Sequence, residues 1–125
     1  MASQSAKQVV EEMIRHFNTH DLDAVYTLLA DDYRQYLSSA IQVAGRDAAR
    51  QADSALYEAV SDYRRETVAL LAEGNSVSLE WRLLGTSQTG TPVNVALVSL
   101  MRIADGKIAE GSLYFDAASL AAAIH

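Results

Sequence analysis

The chain has 125 residues, of which 50% are apolar and 21% charged, the usage of an ordinary globular protein. A formal net charge of −6 disfavours nucleic acid as a partner, because phosphate binding needs a basic patch and the ten Lys and Arg residues are scattered. Without cysteine, the chain can form no disulfide, thiolate metal site or Cys nucleophile. It has no signal-peptide pattern and no apolar run of the ~20 residues that span a bilayer, so we expect one cytoplasmic domain over residues 1–125 with no membrane contact.

Helical periodicity predicts two helices at the start of the chain. Ser5 can cap the first, which carries apolar residues at helical spacing as far as Phe17 and ends near residues 18–20. Asp21 can cap a second, shorter helix that closes at residues 30–32. The buried stripe of this second helix is expected to be Leu22, Val25, Leu28 and Leu29.

A short strand and a third helix are predicted next. The strand covers residues 33–38 and places Tyr33, Gln35 and Leu37 on one face, and residues 41–44 form a second short piece. The helix runs from Asp47 to about Ser61. Its small-residue face, which can approach a sheet closely, is expected to be Ala48, Ala52, Ala55, Leu56, Ala59 and Val60.

The second half of the chain predicts an antiparallel sheet. A strand over residues 62–72 turns at 73–75 into a strand with strict alternation, whose inward residues are Val77, Leu79, Trp81 and Leu83. A turn-rich segment at 85–92 leads to a strand over 93–103, and the Asp105-Gly106 pair favours a hairpin into a last strand over 107–115. Residues 117–124 are expected to form a short helix.

The strand over residues 93–103 is apolar on both faces. Val93, Val95, Leu97, Ser99 and Met101 share one side, and Ala96, Val98 and Leu100 lie on the other. A strand of this kind must be covered on both faces. The helices can cover one face, and a second copy of the chain can cover the other, so we expect a homodimer through Ala96, Val98 and Leu100. The alternative is a central strand of a larger sheet.

Several strings along almost the whole chain occur in the order found in one known family. They are NTHDLDA (18–24), LLADD (28–32), VAGRDA (43–48), DYRRE (62–66), residues 77–86, DGKIAE (105–110) and YFD (114–116). This series resembles the SnoaL-like branch of the nuclear transport factor two superfamily. The resemblance implies an α+β, cone-shaped fold in which three N-terminal helices pack against a strongly bent, mainly antiparallel sheet around a ligand cavity, with a short helix at the C-terminus.

The resemblance also implies where acid–base groups would stand, and this chain lacks them there. The carboxylate base of the SnoaL-like polyketide cyclases falls at Leu113 and its partner histidine at Ser99. In ketosteroid isomerases the base falls at Leu37, a hydroxyl donor at Met13 and an acidic donor at Ser99. The two Asp and the Arg of limonene epoxide hydrolases fall at Leu83, Leu113 and Trp81. None of these three mechanisms can operate unchanged.

We therefore expect a cavity that is almost entirely apolar, with a few polar groups facing inward. Its candidate catalytic residues are Tyr33, Gln35, Ser99 and Trp81, whose hydrogen bonds could stabilise an oxyanion. Its candidate substrate-binding residues are Met13, Phe17, Leu37, Tyr57, Leu79, Leu83, Val95, Leu97, Met101, Leu113 and Phe115. Such walls suit a hydrophobic ligand or a filled core.

Three functions remain open on this sequence. The first is a cyclase or isomerase that acts on a polyketide, terpenoid or steroid-like substrate without the usual carboxylate base. The second is a non-catalytic protein that binds a hydrophobic ligand or assists another protein, and the third is an enzyme like the epoxide hydrolases with altered residues. No cofactor is expected, and no metal, since His16 and His20 lack a clear third ligand.

Overall fold

The structure of the chain, a computed structural model, describes residues 5–37 and 40–124. Four helices and six strands follow one another in the order predicted from the sequence. They are α1 (Ala6–Asn18), α2 (Leu22–Thr27), β1 (Leu29–Leu37), β2 (Ala40–Ala44), α3 (Arg46–Ala59), β3 (Arg64–Glu73), β4 (Ser76–Thr86), β5 (Pro92–Ala104), β6 (Lys107–Tyr114) and α4 (Ala117–Ile124).

The six strands form one open sheet in the order β2-β1-β6-β5-β4-β3. All neighbouring strands are antiparallel except β1 and β6, which run parallel. Register shifts near the end of β1, within β3 and near the end of β5 interrupt the ladders, and such bulges bend a strand. Helices α1 to α3 pack against this sheet, so the expected α+β fold class is confirmed.

The first two helices begin at the predicted caps. Ser5 and Gln8 form a capping box, in which each side chain accepts a hydrogen bond from the other's backbone N–H, and the Asp21 carboxylate accepts from the Ala24 N–H at 3.1 Å. The inward face of α1 is buried as expected, with Val9 and Val10 fully inaccessible. These caps fix where α1 and α2 start and therefore how their inward faces meet the sheet.

Strand β1 begins earlier than predicted. Leu29 starts the strand and pairs with Ile108 of β6, whereas the sequence placed Leu29 in the second helix, which was expected to close at residues 30–32. The apolar pair Leu28 and Leu29 fits the end of a helix as well as the start of a strand. The pairing of Leu29 with the distant strand β6 makes it a strand residue. The predicted second short strand at 41–44 is confirmed as β2, and Ser38, the expected end of the first strand, lies outside the described residues.

The inward face of α3 differs from the predicted one. Ala48, Ala52 and Ala55 are exposed, so the expectation that they face the sheet was wrong. The helix instead turns a neighbouring face inward, which is made of Ala49, Asp53, Leu56, Tyr57 and Val60. Ala49 is 2% exposed, and the Asp53 carboxylate accepts a hydrogen bond from the Tyr26 hydroxyl at 2.5 Å. That polar contact sets the rotation of the helix.

The inner face of the sheet supplies most of the core. All four predicted inward residues of β4 are buried, as are Val93, Val95, Leu97 and Met101 of β5. The outer face remains uncovered, with Leu71 of β3, Leu100 of β5 and Tyr114 of β6 among its exposed side chains. Among the described helices, none is both long and apolar enough to cross a membrane.

Candidate functional site

A small cavity of about 70 Å³ lies between the helices and the inner face of the sheet. Helices α1 to α3 and strands β1, β3, β4, β5 and β6 all contribute to its wall, so most of the fold positions it. The lining residues are Met13, Phe17, Val25, Tyr26, Leu29, Tyr33, Gln35, Asp53, Arg65, Trp81, Ser99, Met101, Gly111, Ser112 and Leu113. The volume is below the ~300–1,000 Å³ of common ligand pockets and holds a few water molecules or part of a guest.

The structure brings eight of the predicted site residues together in this wall. All four candidate catalytic residues are present: Tyr33, Gln35, Ser99 and Trp81. Of the candidate substrate-binding residues, Met13, Phe17, Met101 and Leu113 line the cavity.

The other predicted wall residues lie elsewhere. Leu79, Leu83, Val95 and Leu97 also face inward but are packed into the solid core, at 0–7% exposure. Leu37, Tyr57 and Phe115 are partly buried and do not line the cavity. The Tyr57 hydroxyl donates to the Phe17 carbonyl at 2.8 Å, and its ring stacks on His20 with centroids 4.5 Å apart. The alternation of apolar and polar residues along a strand shows which side chains face inward. It does not show whether those side chains line a cavity or pack against one another.

Four polar residues of the wall were missed by the sequence reasoning: Tyr26, Asp53, Arg65 and Ser112. The Asp53 carboxylate Oδ2 accepts from the Tyr26 hydroxyl at 2.5 Å, and Oδ1 lies 3.9 Å from the Arg65 guanidinium. The side chains of Arg65 and Asp53 are only 10% and 21% exposed. The expected, almost wholly apolar cavity therefore has a charged end.

A signal for Asp53 was present in the sequence. Ala49, Asp53, Leu56 and Val60 recur at spacings of four, three and four, which is the stripe of one helix face. An acidic residue within such a stripe needs polar partners in the interior, and here they are Tyr26 and Arg65. Counting only the alanines of α3 obscured this pattern.

Arg65 is held between two aromatic rings. Its guanidinium carbon lies 3.5 Å from the ring centroid of Phe17 and 4.2 Å from that of Trp81, within the range of cation–π attraction. Its Nε–H donates to the Tyr63 hydroxyl at 2.5 Å, and its backbone N–H donates to the Asn18 side chain at 2.7 Å. These contacts join α1 to β3 and β4 and leave the guanidinium little freedom.

Burial raises the pKa of the Asp53 carboxyl above its usual range. The charge of Arg65 and the hydrogen bond from Tyr26 lower this pKa, but their effect is smaller than that of burial. Burial and the nearby Asp53 also raise the pKa of Tyr26 and of Tyr33. Burial raises the pKa of Tyr63 to about 12. The tyrosines around the carboxylate are therefore neutral donors at neutral pH.

Two pairs of hydrogen bonds orient the candidate catalytic groups. The Tyr33 hydroxyl donates to Gln35 Oε1 at 3.1 Å, which turns the Gln35 amide NH₂ toward other acceptors. The Trp81 indole N–H donates to Ser99 Oγ at 3.0 Å, and a hydroxyl that accepts in this way can still donate its own hydrogen. Gln35 and Ser99 can therefore both donate to a guest.

Gly111 of β6 makes room for Tyr33. A Cβ atom at this position would lie 2.5 Å from the Tyr33 hydroxyl oxygen, which is closer than any ordinary contact. Tyr33 is 8% exposed, and its hydroxyl lies over Gly111 of β6 only because no side chain stands there. The absence of a side chain at residue 111 thus sets the position of the Tyr33–Gln35 pair.

The two histidines of α1 do not converge on a site. His20 Nε2 lies 2.6 Å from the Tyr63 carbonyl, while His16 Nε2 lies 3.5 Å from a Glu12 carboxylate oxygen. Within residues 5–37 and 40–124, no group of three His, Asp or Glu side chains is arranged to hold a metal. Both histidines have structural contacts at the end of α1.

Replacing Gly111 with alanine is expected to displace the Tyr33 hydroxyl and break its bond to Gln35. Overpacking of this kind should lower the free energy of unfolding by roughly 1–3 kcal/mol. Urea denaturation of Gly111→Ala measures the loss of stability. Gly90→Ala is unsuitable as a control, because Gly90 has a positive φ that alanine adopts only with strain. Gly45→Ala, with open space at Cβ and a negative φ, is the matched control. Equal stability of Gly111→Ala and the wild type would contradict the proposed packing.

The stability of the Asp53→Asn variant is expected to rise, relative to the wild type, as pH increases. A carboxyl whose pKa is higher in the folded state stabilises the fold most when protonated, below the unfolded pKa of ~3.9, and loses this contribution as pH rises through the folded pKa. Asparagine cannot ionise and escapes that loss. Urea denaturation at pH 4 and pH 7 tests this, with Asp47→Asn on the exposed side of α3 as the control. A stabilising ion pair with Arg65 would give the opposite trend.

Comparison with solved structures finds the same fold in several bacterial proteins. AclR from Streptomyces galilaeus, proposed to be a hydroxylase, has a TM-score of 0.86 and 22% identity over 95% of this chain and 94% of its own. IdmH from Streptomyces antibioticus, proposed to be a polyketide cyclase, has a TM-score of 0.86 and 18% identity over 97% and 99%. A protein from Jannaschia sp. CCS1, proposed to be a SnoaL-like polyketide cyclase, has a TM-score of 0.80 and 23% identity, and the match covers 99% of this chain and 96% of that protein. At these identities the likeness shows the fold alone.

The sequence comparisons give the family. No curated protein matches the sequence significantly. A family model described as SnoaL-like domain matches residues 10–111, which is most of the chain and includes every residue of the cavity wall except Ser112 and Leu113. The chain therefore belongs to the SnoaL-like family, as its sequence strings and its fold both indicate.

Proposed function

We propose that this protein is an enzyme of the cyclase or isomerase type that acts on a hydrophobic polyketide, terpenoid or steroid-like molecule in its cavity. The observation that carries the proposal is the convergence of Gln35 and Ser99, each oriented by a second side chain, in a cavity whose remaining wall is largely apolar. Preorganised donors of this kind stabilise the negative charge that develops on a carbonyl oxygen during enolisation or ring closure. The family membership and the solved relatives support the same class of chemistry.

The four candidate catalytic residues divide into two roles. Gln35 and Ser99 present donors to the substrate oxygen, whereas Tyr33 and Trp81 hold them in place through the hydrogen bonds described above. The Trp81 N–H is already used by Ser99, so it does not serve as a direct donor to the substrate. This assignment refines the expectation that all four groups act on the oxyanion.

The size of the cavity limits how a substrate is held. About 70 Å³ is roughly half of the ~150 Å³ that takes up a benzene ring, so the reacting end of a substrate would enter only if the wall adapts, while the remainder lies at the mouth. Met13 and Met101 line the cavity, and the flexible thioether side chains allow its wall to adapt to a guest. We propose that these residues, with Phe17 and Leu113, form the apolar contacts to the substrate.

The alternative is a protein that binds a hydrophobic molecule without transforming it. It is favoured by the apolar residues Leu37 and Leu113 at positions where the resemblance implies a base. Both functions require binding, and only the first requires turnover, so one set of variants can separate them.

Binding in the cavity can be followed through Trp81, because it is the only tryptophan of the chain and forms part of the wall. Titration with cyclopentanone, 2-cyclohexenone, 1-tetralone and 2-naphthol is expected to change its emission. Calorimetry on Gln35→Leu and Ser99→Ala should then show affinity losses of roughly 0.5–1.5 kcal/mol each for the best probe. Ser54→Ala, on the exposed side of α3, is the matched control. No change of Trp81 emission with any probe would rule out the proposed site.

We also propose that two copies of the chain associate through the outer face of the sheet. Leu71 is 68% exposed, Leu100 45% and Tyr114 44%, and the strand register places Leu71, Ser78 and Leu100 in one row across β3, β4 and β5. An isologous contact would bury this apolar patch against its twin. Ala96 and Leu100 are exposed and Val98 half-buried, so the predicted interface residues are accessible.

The dimer is tested by placing a charge in the patch. Leu100→Glu is expected to convert a dimer to a monomer, because burying an unpaired carboxylate on both sides of the interface is unfavourable. Size-exclusion chromatography with light scattering measures the mass. Ala55→Glu, which adds the same charge on the exposed face of α3, should leave the dimer intact. A wild-type protein that is monomeric at high concentration would refute the proposal.

A further inference from the structure

The carboxylate of Asp53 is placed where it can exchange a proton with a guest in the cavity. Its Oδ2 accepts from the Tyr26 hydroxyl at 2.5 Å. Its Oδ1 lies 3.9 Å from Arg65 Nη2, which is an ion-pair separation but too long for a hydrogen bond. Within the described part of the chain, Tyr26 is the one hydrogen-bond donor to this carboxylate, so Oδ1 keeps lone pairs that can accept a proton, and Asp53 forms part of the cavity wall.

Packing alone does not explain an acid at this position. The neighbours of Asp53 on its helix face are Ala49 and Leu56, and an apolar residue would continue the stripe. The charged and titratable groups around it are Tyr26 from α2, Tyr33 from β1, Tyr57 on α3 itself, and Tyr63 and Arg65 at the start of β3. Burial outweighs the favourable effect of Arg65, which leaves the carboxyl more basic than an exposed aspartate.

We infer that Asp53 is the proton-transfer residue of this cavity, acting on the carbon next to a ketone carbonyl whose oxygen is held by Gln35 and Ser99. This inference rests on the proposed function and adds to it the base that the family's usual positions lack. The substrate class is an enolisable ketone with an apolar body. The base comes from α3, whereas the positions to which the resemblance assigns a base lie on β1 and β6 at Leu37 and Leu113.

The proposed step conserves protons and electrons without a cofactor. Asp53 Oδ1 takes the proton from the α-carbon, the C–H electron pair becomes the enolate C=C bond, and the carbonyl π pair moves onto oxygen. The donors of Gln35 and Ser99 stabilise that oxygen. The protonated Asp53 then returns its proton to another carbon, which is isomerisation, or to the alkoxide formed when the enolate carbon attacks a second carbonyl, which is ring closure.

Tyr26 and Arg65 are positioning residues for Asp53. The Tyr26 hydrogen bond fixes one carboxylate oxygen and thereby restrains the orientation of the whole group. Arg65 is restrained between Phe17 and Trp81, so its charge stays beside the other oxygen, 3.9 Å from Oδ1. Both groups favour the ionised form, which is the form that accepts a proton.

The direct test uses the full chain and a single-ring ketone that suits a small cavity. Exchange of the α-hydrogens of cyclopentanone in D₂O is followed by proton NMR, and the protein is expected to accelerate it. Asp53→Asn should lower the protein-dependent rate by roughly 10² or more, the usual contribution of a general base. Asp47→Asn, the exposed acid on the same helix, should leave the rate unchanged.

The outcomes separate this inference from the proposed function. If cyclopentanone changes Trp81 emission but the exchange rate is the same for wild type and Asp53→Asn, the inference is wrong and binding stands. Binding without any accelerated exchange by the wild type also overturns it. If neither cyclopentanone nor the larger probes change Trp81 emission, the proposed function fails. Circular dichroism checks that Asp53→Asn is folded, and Asp53→Glu, which restores a carboxylate, should recover part of the rate.

The pH profile gives a second, independent reading. The exchange rate should fall as the medium becomes more acidic and Asp53 takes up a proton, at a pH above that of an ordinary aspartate because burial raises its pKa. Tyr26→Phe removes a hydrogen bond that lowers the pKa of Asp53. The acid limb of the profile, which is the pH range over which the exchange rate falls, should therefore move to higher pH. If Tyr26 only stabilised the fold, Tyr26→Phe would reduce the exchange rate without changing the pH range of the acid limb. An unmoved limb in Tyr26→Phe would overturn the assignment of Asp53.

Discussion

The position of Arg65 between Phe17 and Trp81 is the interaction on which the site depends. A guanidinium buried between two rings links the end of α1 to β3 and β4, and its backbone is fixed to the same helix by Asn18. A cation at this depth needs a counter-charge, which Asp53 supplies from α3. The helices and the sheet are therefore joined at the cavity by polar contacts as well as by apolar packing. The same contacts place two charged side chains at one end of a largely apolar cavity.

Most of the fold was readable from periodicity, because β4 and β5 each bury one face and their alternation shows which. The helix starts were readable because Ser5 and Asp21 have the side chains that cap helices. The start of β1 was not readable, since the residues around Leu29 become a strand only by pairing with β6 from the other end of the chain. Local patterns carry no information about such a partner.

The site was predicted in part for the same reason. Tyr33, Gln35, Ser99 and Trp81 follow from which face of each strand looks inward, and the structure places all four in the wall. Asp53 and Arg65 break the rule that charged residues lie outside, so a pattern based on hydrophobicity assigns them to solvent. The distinction between cavity and filled core is a matter of side-chain volumes in three dimensions. Leu79 and Leu97 show this, because they satisfy the alternation and simply fill space.

The parallel pairing of β1 with β6 has a consequence for how the protein folds. The hairpins from β3 to β6 join neighbours in sequence, whereas β1 reaches the rest of the sheet only through its pairing with the distant strand β6. Tyr33 and Gln35 on β1 therefore come to lie near Ser99 and Trp81 only once this long-range pairing has formed. Until then the cavity is incomplete, and β6 presents an unpaired sheet edge of the kind that chaperones protect.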